Sequence, residues 1–235
     1  MHPFNFKKFK IHHERSFKVG TDGVLLGTWV NVEGKLNILD VGSGSGLISL
    51  VIAQRTTTAT ISGVEIDQES VVEANENVEE SPWSDRVSIY CDTVQAYSAK
   101  REDKFDLIVS NPPYFINATK SNNKKKDTAR HTDQLPFEDL ITVANKHLTM
   151  KGKLAVVLPN EEGNIFIQLA KENELYLTRL TEVRSKKDKP VERYLMEFGR
   201  IESELKKDEL VIQFEKRNDY TPSYIALTKE FYTIL

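Results

Sequence analysis

Asn111, Pro112, Pro113 and Tyr114 follow the apolar run Phe105 to Ser110 directly, and together they form a group able to act on a planar amine. An exocyclic amine on a nucleobase is a weak nucleophile because its lone pair is delocalised into the ring. Two acceptors aimed at its two hydrogens draw the nitrogen toward tetrahedral geometry. The Asn111 side-chain oxygen is one such acceptor, and the Pro112 carbonyl is the other, since proline keeps its acceptor while losing its donor. The paired prolines fix φ and push the preceding residues out of helical geometry, so the acceptors are aimed before a substrate arrives. Tyr114 adds a flat face on which a base can stack. An Asn-Pro step also makes a plain rigid turn, and a second signal is needed to separate the two readings.

That signal lies upstream. Leu36 to Val41 reads as a strand ending beside Asp40, Gly42-Ser43-Gly44-Ser45-Gly46 as a turn, and Leu47 to Ala53 as a buried helix. Alternate glycines let the backbone pass close to a ligand, and the helix start beyond them offers free amide donors and a positive dipole end. The spacing is Gly-x-Gly-x-Gly, which differs from the dinucleotide fingerprint. A carboxylate at Asp40 is badly placed beside a diphosphate and well placed beside an ammonium group. Thr60 to Ile66 reads as the next strand, with Glu65 near its end positioned to accept ribose hydroxyls. Arg86 to Cys91 reads as a third, followed by Asp92, an acceptor for an adenine amine. The set Asp40, Gly42, Ser43, Gly44, Gly46, Glu65, Asp92 and Asn111 therefore falls at the carboxyl ends of successive strands, where open α/β sheets bind ligands.

These ordered motifs resemble the Rossmann-like class I S-adenosylmethionine-dependent methyltransferases, and Asn-Pro-Pro-Tyr resembles their amine-methylating branch. The stretches Phe17 to Gly27, Ala129 to Thr132, Lys189 to Tyr194 and Tyr220 to Phe231 are similar to the bacterial tRNA adenine-N6 methyltransferase family that modifies the adenine 3′ of the anticodon in a valine tRNA. The resemblance runs nearly end to end. It implies a mostly parallel seven-stranded sheet with an antiparallel closing hairpin and helices on both faces. It also implies Asn111, Pro112 and Tyr114 as the catalytic residues, S-adenosylmethionine as cofactor, and tRNA as partner. Two alternatives share the planar-amine chemistry: methylation of a protein glutamine, and methylation of a ribosomal RNA or DNA amine.

Charge patterning favours a polyanion. The net charge of −3 hides a segregation, because residues 65–85 carry eight acids and no base. Three other runs are basic: Lys7, Lys8, Lys10, Arg15 and Lys18; Lys120, Lys124, Lys125, Lys126 and Arg130; and Arg184, Lys186, Lys187, Lys189 and Arg193. Such runs are usually solvated surface, but three around one catalytic motif point to nucleic acid. Lys7, Lys10, Lys124, Lys125, Lys126, Arg130, Lys187 and Arg193 are the expected RNA contacts, and the acidic segment is expected on the far side.

The remaining sequence sets the architecture. A chain of 235 residues, 39% apolar, suits one α/β domain spanning 1–235 with a basic N-terminal appendage of about 35 residues. Leu135 to Leu148 and Glu162 to Glu172 read as helices, Gly152 to Pro159 as a strand, and Leu175 to Val183 with Val191 to Phe198 as the closing hairpin. Glu209 to Phe214 reads as a further edge strand and Ser223 to Phe231 as a terminal helix. Thr21-Asp22-Gly23 followed by Val24, Leu25, Leu26 and Trp29 reads as a capped helix, with Asp22 the expected N-cap. Asn117 to Thr128 is polar and expected to be mobile. No apolar run reaches membrane-spanning length, and no histidine pair has metal-ligand spacing. Cys91, the single cysteine, is expected to be a small buried residue, and a cytoplasmic monomer without metal is the expected form.

Overall fold

A computed structural model describes residues 2–16, 18–113 and 135–233. Strands β1 (Phe4–Asn5) and β2 (Lys10–Ile11) form a small antiparallel pair, followed by helix α1 (Thr21–Trp29). The central run alternates: β3 (Asn37–Val41), α2 (Leu47–Arg55), β4 (Thr60–Glu65), α3 (Gln68–Glu79), β5 (Val87–Cys91), α4 (Val94–Ala99) and β6 (Phe105–Ser110). Further along the chain come α5 (Phe137–His147), β7 (Leu148–Pro159), α6 (Asn160–Glu172), β8 (Tyr176–Arg184), β9 (Arg193–Gly199), β10 (Lys206–Val211) and α7 (Pro222–Thr228).

The main sheet runs β10-β8-β9-β7-β6-β3-β4-β5. Its central strands are apolar without alternation because both faces are covered, as parallel strands require; Leu107, Ile108 and Val109 are all fully buried. One core joins β1–β2, α1, α2, α3 and α7 on one face, and a second joins α4, α5 and α6 on the other. After β3, β4 and β5 have been laid in one direction, β6 returns to the opposite side of β3. The strand order therefore reverses between β3 and β6, and such a reversal opens a crevice at the carboxyl edge.

The closing hairpin forms, with β9 antiparallel to both β7 and β8 and lying between them. Strand β10 pairs parallel with β8 as an eighth, edge strand beyond the seven that the resemblance implies. The N-terminal pair carries no long periodic signal in the sequence. It is held by burial of Phe6, Phe9 and Ile11 in the core and by the Lys7 amide donating to the Phe231 carbonyl at 2.8 Å.

Two local expectations are corrected. Gly20, not Asp22, occupies the position before α1, and no side chain caps that end. Asp22 lies inside the first turn, where its carboxylate pairs with Arg193. Cys91 is exposed, because it ends β5, the edge strand of the sheet.

Candidate active site

Gly42, Gly44 and Gly46 adopt φ of 70°, 51° and 77°, a region that side chains disfavour, so the turn between β3 and α2 depends on glycine at all three positions. The turn is fastened from below. Gly42 and Ser43 amides donate to the Val64 carbonyl at 2.8 and 3.2 Å, and the Gly46 amide donates to the Ser43 carbonyl at 2.8 Å. Gly63 in β4 leaves room for this, since a Cβ there would lie 3.0 Å from Ser43 Cβ and would collide with Ile89. Buried Asn77 on α3 donates to the Ser45 carbonyl at 3.0 Å and binds His12 through both its amide and its carbonyl oxygen.

Asp40 is fully buried beneath the turn. Its Oδ2 accepts from the Ser49 amide at 3.1 Å and the Ser49 hydroxyl at 2.7 Å, both in the first turn of α2. Burial pushes its carboxyl up to about 7, against those two hydrogen bonds and with a further rise from Glu65. Asp40 Oδ1 and Ser43 Oγ are buried polar atoms without a partner among the described residues. Buried polar atoms normally find one, so the turn has the donor and acceptor set to receive a polar ligand bearing a cation.

Strand register aligns the remaining candidates. Val41 pairs with both Val64 and Ser110, and Glu65 pairs with Cys91. Gly42, Glu65, Asp92 and Asn111 therefore leave four neighbouring strand ends within one residue of a common level. The Ser110 hydroxyl donates to the Val41 carbonyl at 2.8 Å, tying the strand end that carries Asn111 to the one that carries the glycines. Asn111 is half-buried, Pro112 buried and Pro113 exposed. Tyr114 lies outside the described residues.

Neither acidic candidate is an idle acceptor. Glu65 Oε2 accepts from the Gly44 amide at 2.9 Å, and Oε1 accepts from the Ile66 and Asp67 amides at 2.8 and 3.0 Å. A carboxylate has about four lone-pair sites, so Glu65 both shapes the turn and keeps one site on Oε2. Asp92 accepts from the Thr93 amide at 3.0 Å and pairs with Lys100 at 2.7 Å. It lines an open depression of about 360 Å³ at the top of β5, together with Tyr90 and Arg101. Another depression, of about 270 Å³ between Asn37, Thr60 and Phe105, lies at the amino ends of the strands, away from these residues.

A family model described as the methyltransferase small domain matches residues 15–172. A relative from Flavobacterium johnsoniae is 44% identical over 97% of this chain and 98% of its own length. One from Trichodesmium erythraeum is 45% identical over 97% of both. Each is named tRNA1(Val) (adenine(37)-N6)-methyltransferase. The chain belongs to this methyltransferase family. Solved structures share its fold: a predicted O-methyltransferase from Agrobacterium tumefaciens has a TM-score of 0.72 at 18% identity, covering 89% of this chain and 96% of that one. The Thermus thermophilus 16S rRNA N2 G1207 methyltransferase, solved with S-adenosylmethionine and guanosine, has a TM-score of 0.56 at 20% identity and covers 85% of this chain and 50% of that one. S-adenosylmethionine is the methyl donor of the family, and the glycine turn with its two partnerless polar atoms fits its amino-acid end.

The basic residues are distributed otherwise than their segregation in sequence suggests. Lys10 pairs with Glu80 at 2.9 Å and Arg15 with Glu76 at 3.0 Å, so the N-terminal segment lies along the acidic helix α3. Buried Glu73 completes that contact by accepting from the Glu14, Arg15 and Ser16 amides and the Ser16 hydroxyl at 2.6 to 3.0 Å. Lys7 donates to the Lys229 carbonyl. Arg193 is committed to Asp22 and Glu192. Lys187 is exposed at the hairpin turn. Lys124, Lys125, Lys126, Arg130 and the segment Asn117 to Thr128 lie outside the described residues.

Gly63, Glu73, Asn77 and Ser110 escaped sequence reasoning. Gly63 left one trace, an isolated glycine in a strand pattern, which marks close backbone approach. Glu73 and Asn77 had the weaker trace of polar residues on the apolar face of α3 beside Val71, Ala74 and Val78.

Proposed function

We propose that this methyltransferase acts on the exocyclic N6 of adenine 37, 3′ of the anticodon in a valine tRNA, the reaction that the names of its relatives describe. The observation that carries this reading is the paired exit of β3 and β6, with Val41 and Ser110 in register and hydrogen-bonded, because it sets Asn111 and Pro112 beside the cofactor turn. When bound, S-adenosylmethionine supplies a methyl group already activated by its sulfonium.

The chain supplies placement and polarisation. The turn Gly42 to Gly46 lets a ligand approach the backbone and leads into the α2 start, Asp40 and Ser43 offer the partnerless oxygens, and Glu65 and Asp92 offer acceptor capacity along the strand ends. The Asn111 side-chain oxygen and the Pro112 carbonyl accept the two amine hydrogens, which localises the nitrogen lone pair as the bond to carbon forms. The methylated nitrogen then gives up one proton to solvent water, while the electron pair of the broken carbon–sulfur bond would stay on the departing thioether. Tyr114 is assigned the stacking face. Among the described residues no group of His, Cys, Asp and Glu side chains is arranged to hold a metal ion, and no helix is long and apolar enough to cross a membrane.

The test is methylation of a valine tRNA transcript followed by mass spectrometry of its nucleosides. N6-methyladenosine at position 37, lost in a transcript with guanosine there, supports the proposal. Methyl transfer to a protein glutamine with no modified nucleoside overturns it.

A further inference from the structure

The carboxyl edge of the sheet extends well beyond the catalytic strands. Strands β6, β7, β8 and β10 run parallel, so the ends of β8 and β10 open onto the same edge as Asn111. The two segments that follow them are joined: the Ile212 amide donates to the Arg184 carbonyl at 2.9 Å, the Gln213 amide to the Ser185 carbonyl at 3.1 Å, and Lys186 Nζ to the Glu215 carbonyl at 2.6 Å. Residues 185–192 and 213–220 thus form one lip. The second segment is closed at its base by the Gln213–Tyr220 bridge and by the Phe214 amide donating to the Asp219 carbonyl at 2.7 Å. Tyr220 stacks on Tyr224 of α7 at 5.0 Å.

Two features of this lip have no structural use among the described residues. Phe214 is 51% exposed at the start of the closed loop, where folding gains little from an aromatic ring. Four of the five cations in residues 185–192 and 213–220 have no ion pair among the described residues. Glu209 is paired with Arg184, Glu215 with Lys186, and Asp22 and Glu192 with Arg193. Lys187, Lys189, Lys216 and Arg217 are exposed and have no ion pair among the described residues, against Asp188 and Asp219 as the two uncommitted acids. An exposed ring among unpaired cations matches the two surfaces of unpaired RNA, a π-face and phosphates.

We infer that this lip holds the anticodon arm outside the target nucleotide, with Lys187, Lys189, Lys216 and Arg217 on phosphates and Phe214 stacked on an unpaired base. The inference rests on the tRNA reading above and deepens it. Strand β10 is four strand spacings from β6, roughly 20 Å. That separation excludes the lip from the reacting base and suits a contact on flanking nucleotides.

The experiment uses the full chain and the same valine tRNA transcript. Replacing Lys187, Lys189, Lys216 and Arg217 with Ala together is expected to raise KM for tRNA on the order of tenfold or more and to flatten its salt dependence by roughly 0.7 per lost phosphate contact. Phe214→Ala is expected to raise KM on the order of tenfold with an unchanged salt slope, and Phe214→Trp to restore it. Calorimetric affinity for S-adenosylmethionine is expected to stay at the parental value, which shows that each variant is folded. An active parent whose variants keep its KM and salt slope overturns the inference and leaves the tRNA reading standing. A parent that modifies no tRNA overturns both. Binding of anionic phospholipid vesicles through these residues, with parental tRNA kinetics, assigns the lip to a membrane surface and also overturns it.

Discussion

The two ends of the carboxyl edge are built in opposite ways. At the β3–β5 end, the glycine turn is fixed by backbone bonds to Val64, by Glu65 at Gly44, by Asn77 at Ser45 and by the space over Gly63, and its polar groups are buried. At the β8–β10 end, the lip is held by bonds at its base while Phe214 and four cations stand in solvent. A small cofactor of fixed shape rewards pre-organisation, since each group ordered beforehand is not ordered again on binding. A polyanion is met mainly by charge at long reach, where exposure costs little and contact adapts. Substitutions at the first end are therefore expected to act sharply and singly, and those at the second gradually and in groups.

The largest effect is expected where the two ends meet. Asn111→Ala should lower kcat on the order of 100-fold or more while cofactor affinity, followed by calorimetry, stays near its parental value, because the lost acceptor is used mainly as the new bond forms. An equal loss in cofactor affinity would move Asn111 into the cofactor site proper and weaken the division.

Below that comes the turn itself. Gly63→Ala places a Cβ against Ser43 and Ile89, and over-packing of this kind costs about 1 to 3 kcal/mol. Thermal unfolding should show the loss, and cofactor affinity should fall with it. Parental values for both would mean that the turn yields easily and is not rigidly set.

A pH effect of intermediate size is expected from Asp40. Burial holds its carboxyl near 7, and an ammonium ligand favours the ionised form. Above pH 7 the carboxylate is already charged. Below it, binding of a cation must expel a proton, so affinity for S-adenosylmethionine should fall up to about tenfold per pH unit. Asp40→Asn should flatten this profile. A parental protein with constant affinity between pH 5.5 and 8 would remove Asp40 from the ammonium site.

The smallest effect is expected from Lys10 and Arg15. Both are paired with acids, Arg15 with Glu76 of α3 and Lys10 with Glu80 at its C-cap, and their joint replacement with Ala should change KM for tRNA by less than about twofold, as exposed ion pairs contribute little. A change as large as that of the lip variants would show that the N-terminal segment turns away from α3 to meet RNA.

The elements around the site were legible because each carried its own signal. Leu36 to Val41, the glycines and Leu47 to Ala53 were read as strand, turn and helix, and the structure has β3, the turn and α2 there. The weak points were of one kind. Cys91 was read as buried because strand residues usually are, yet exposure depends on whether a strand is central or at an edge, which is a property of sheet order. The eighth strand was anticipated as Glu209 to Phe214 and lies at Lys206–Val211, because its register is set by pairing with β8.

The local order of chemical groups was determined by the sequence alone. Glycine alternation, the prolines after Asn111 and the acids at successive strand ends each follow from backbone sterics and side-chain chemistry within a few residues. Which groups remain free for a ligand was decided only by the tertiary structure. Arg193 is neutralised by Asp22, 171 residues away. Lys10 and Arg15 are neutralised by a helix that begins more than 50 residues later. Lys187, Lys189, Lys216 and Arg217 have no ion pair among the described residues, while Arg184, Lys186 and Arg193 hold Glu209, Glu215 and Glu192. Charge is a property of a residue, but its availability depends on which distant residue the fold brings within a few ångströms.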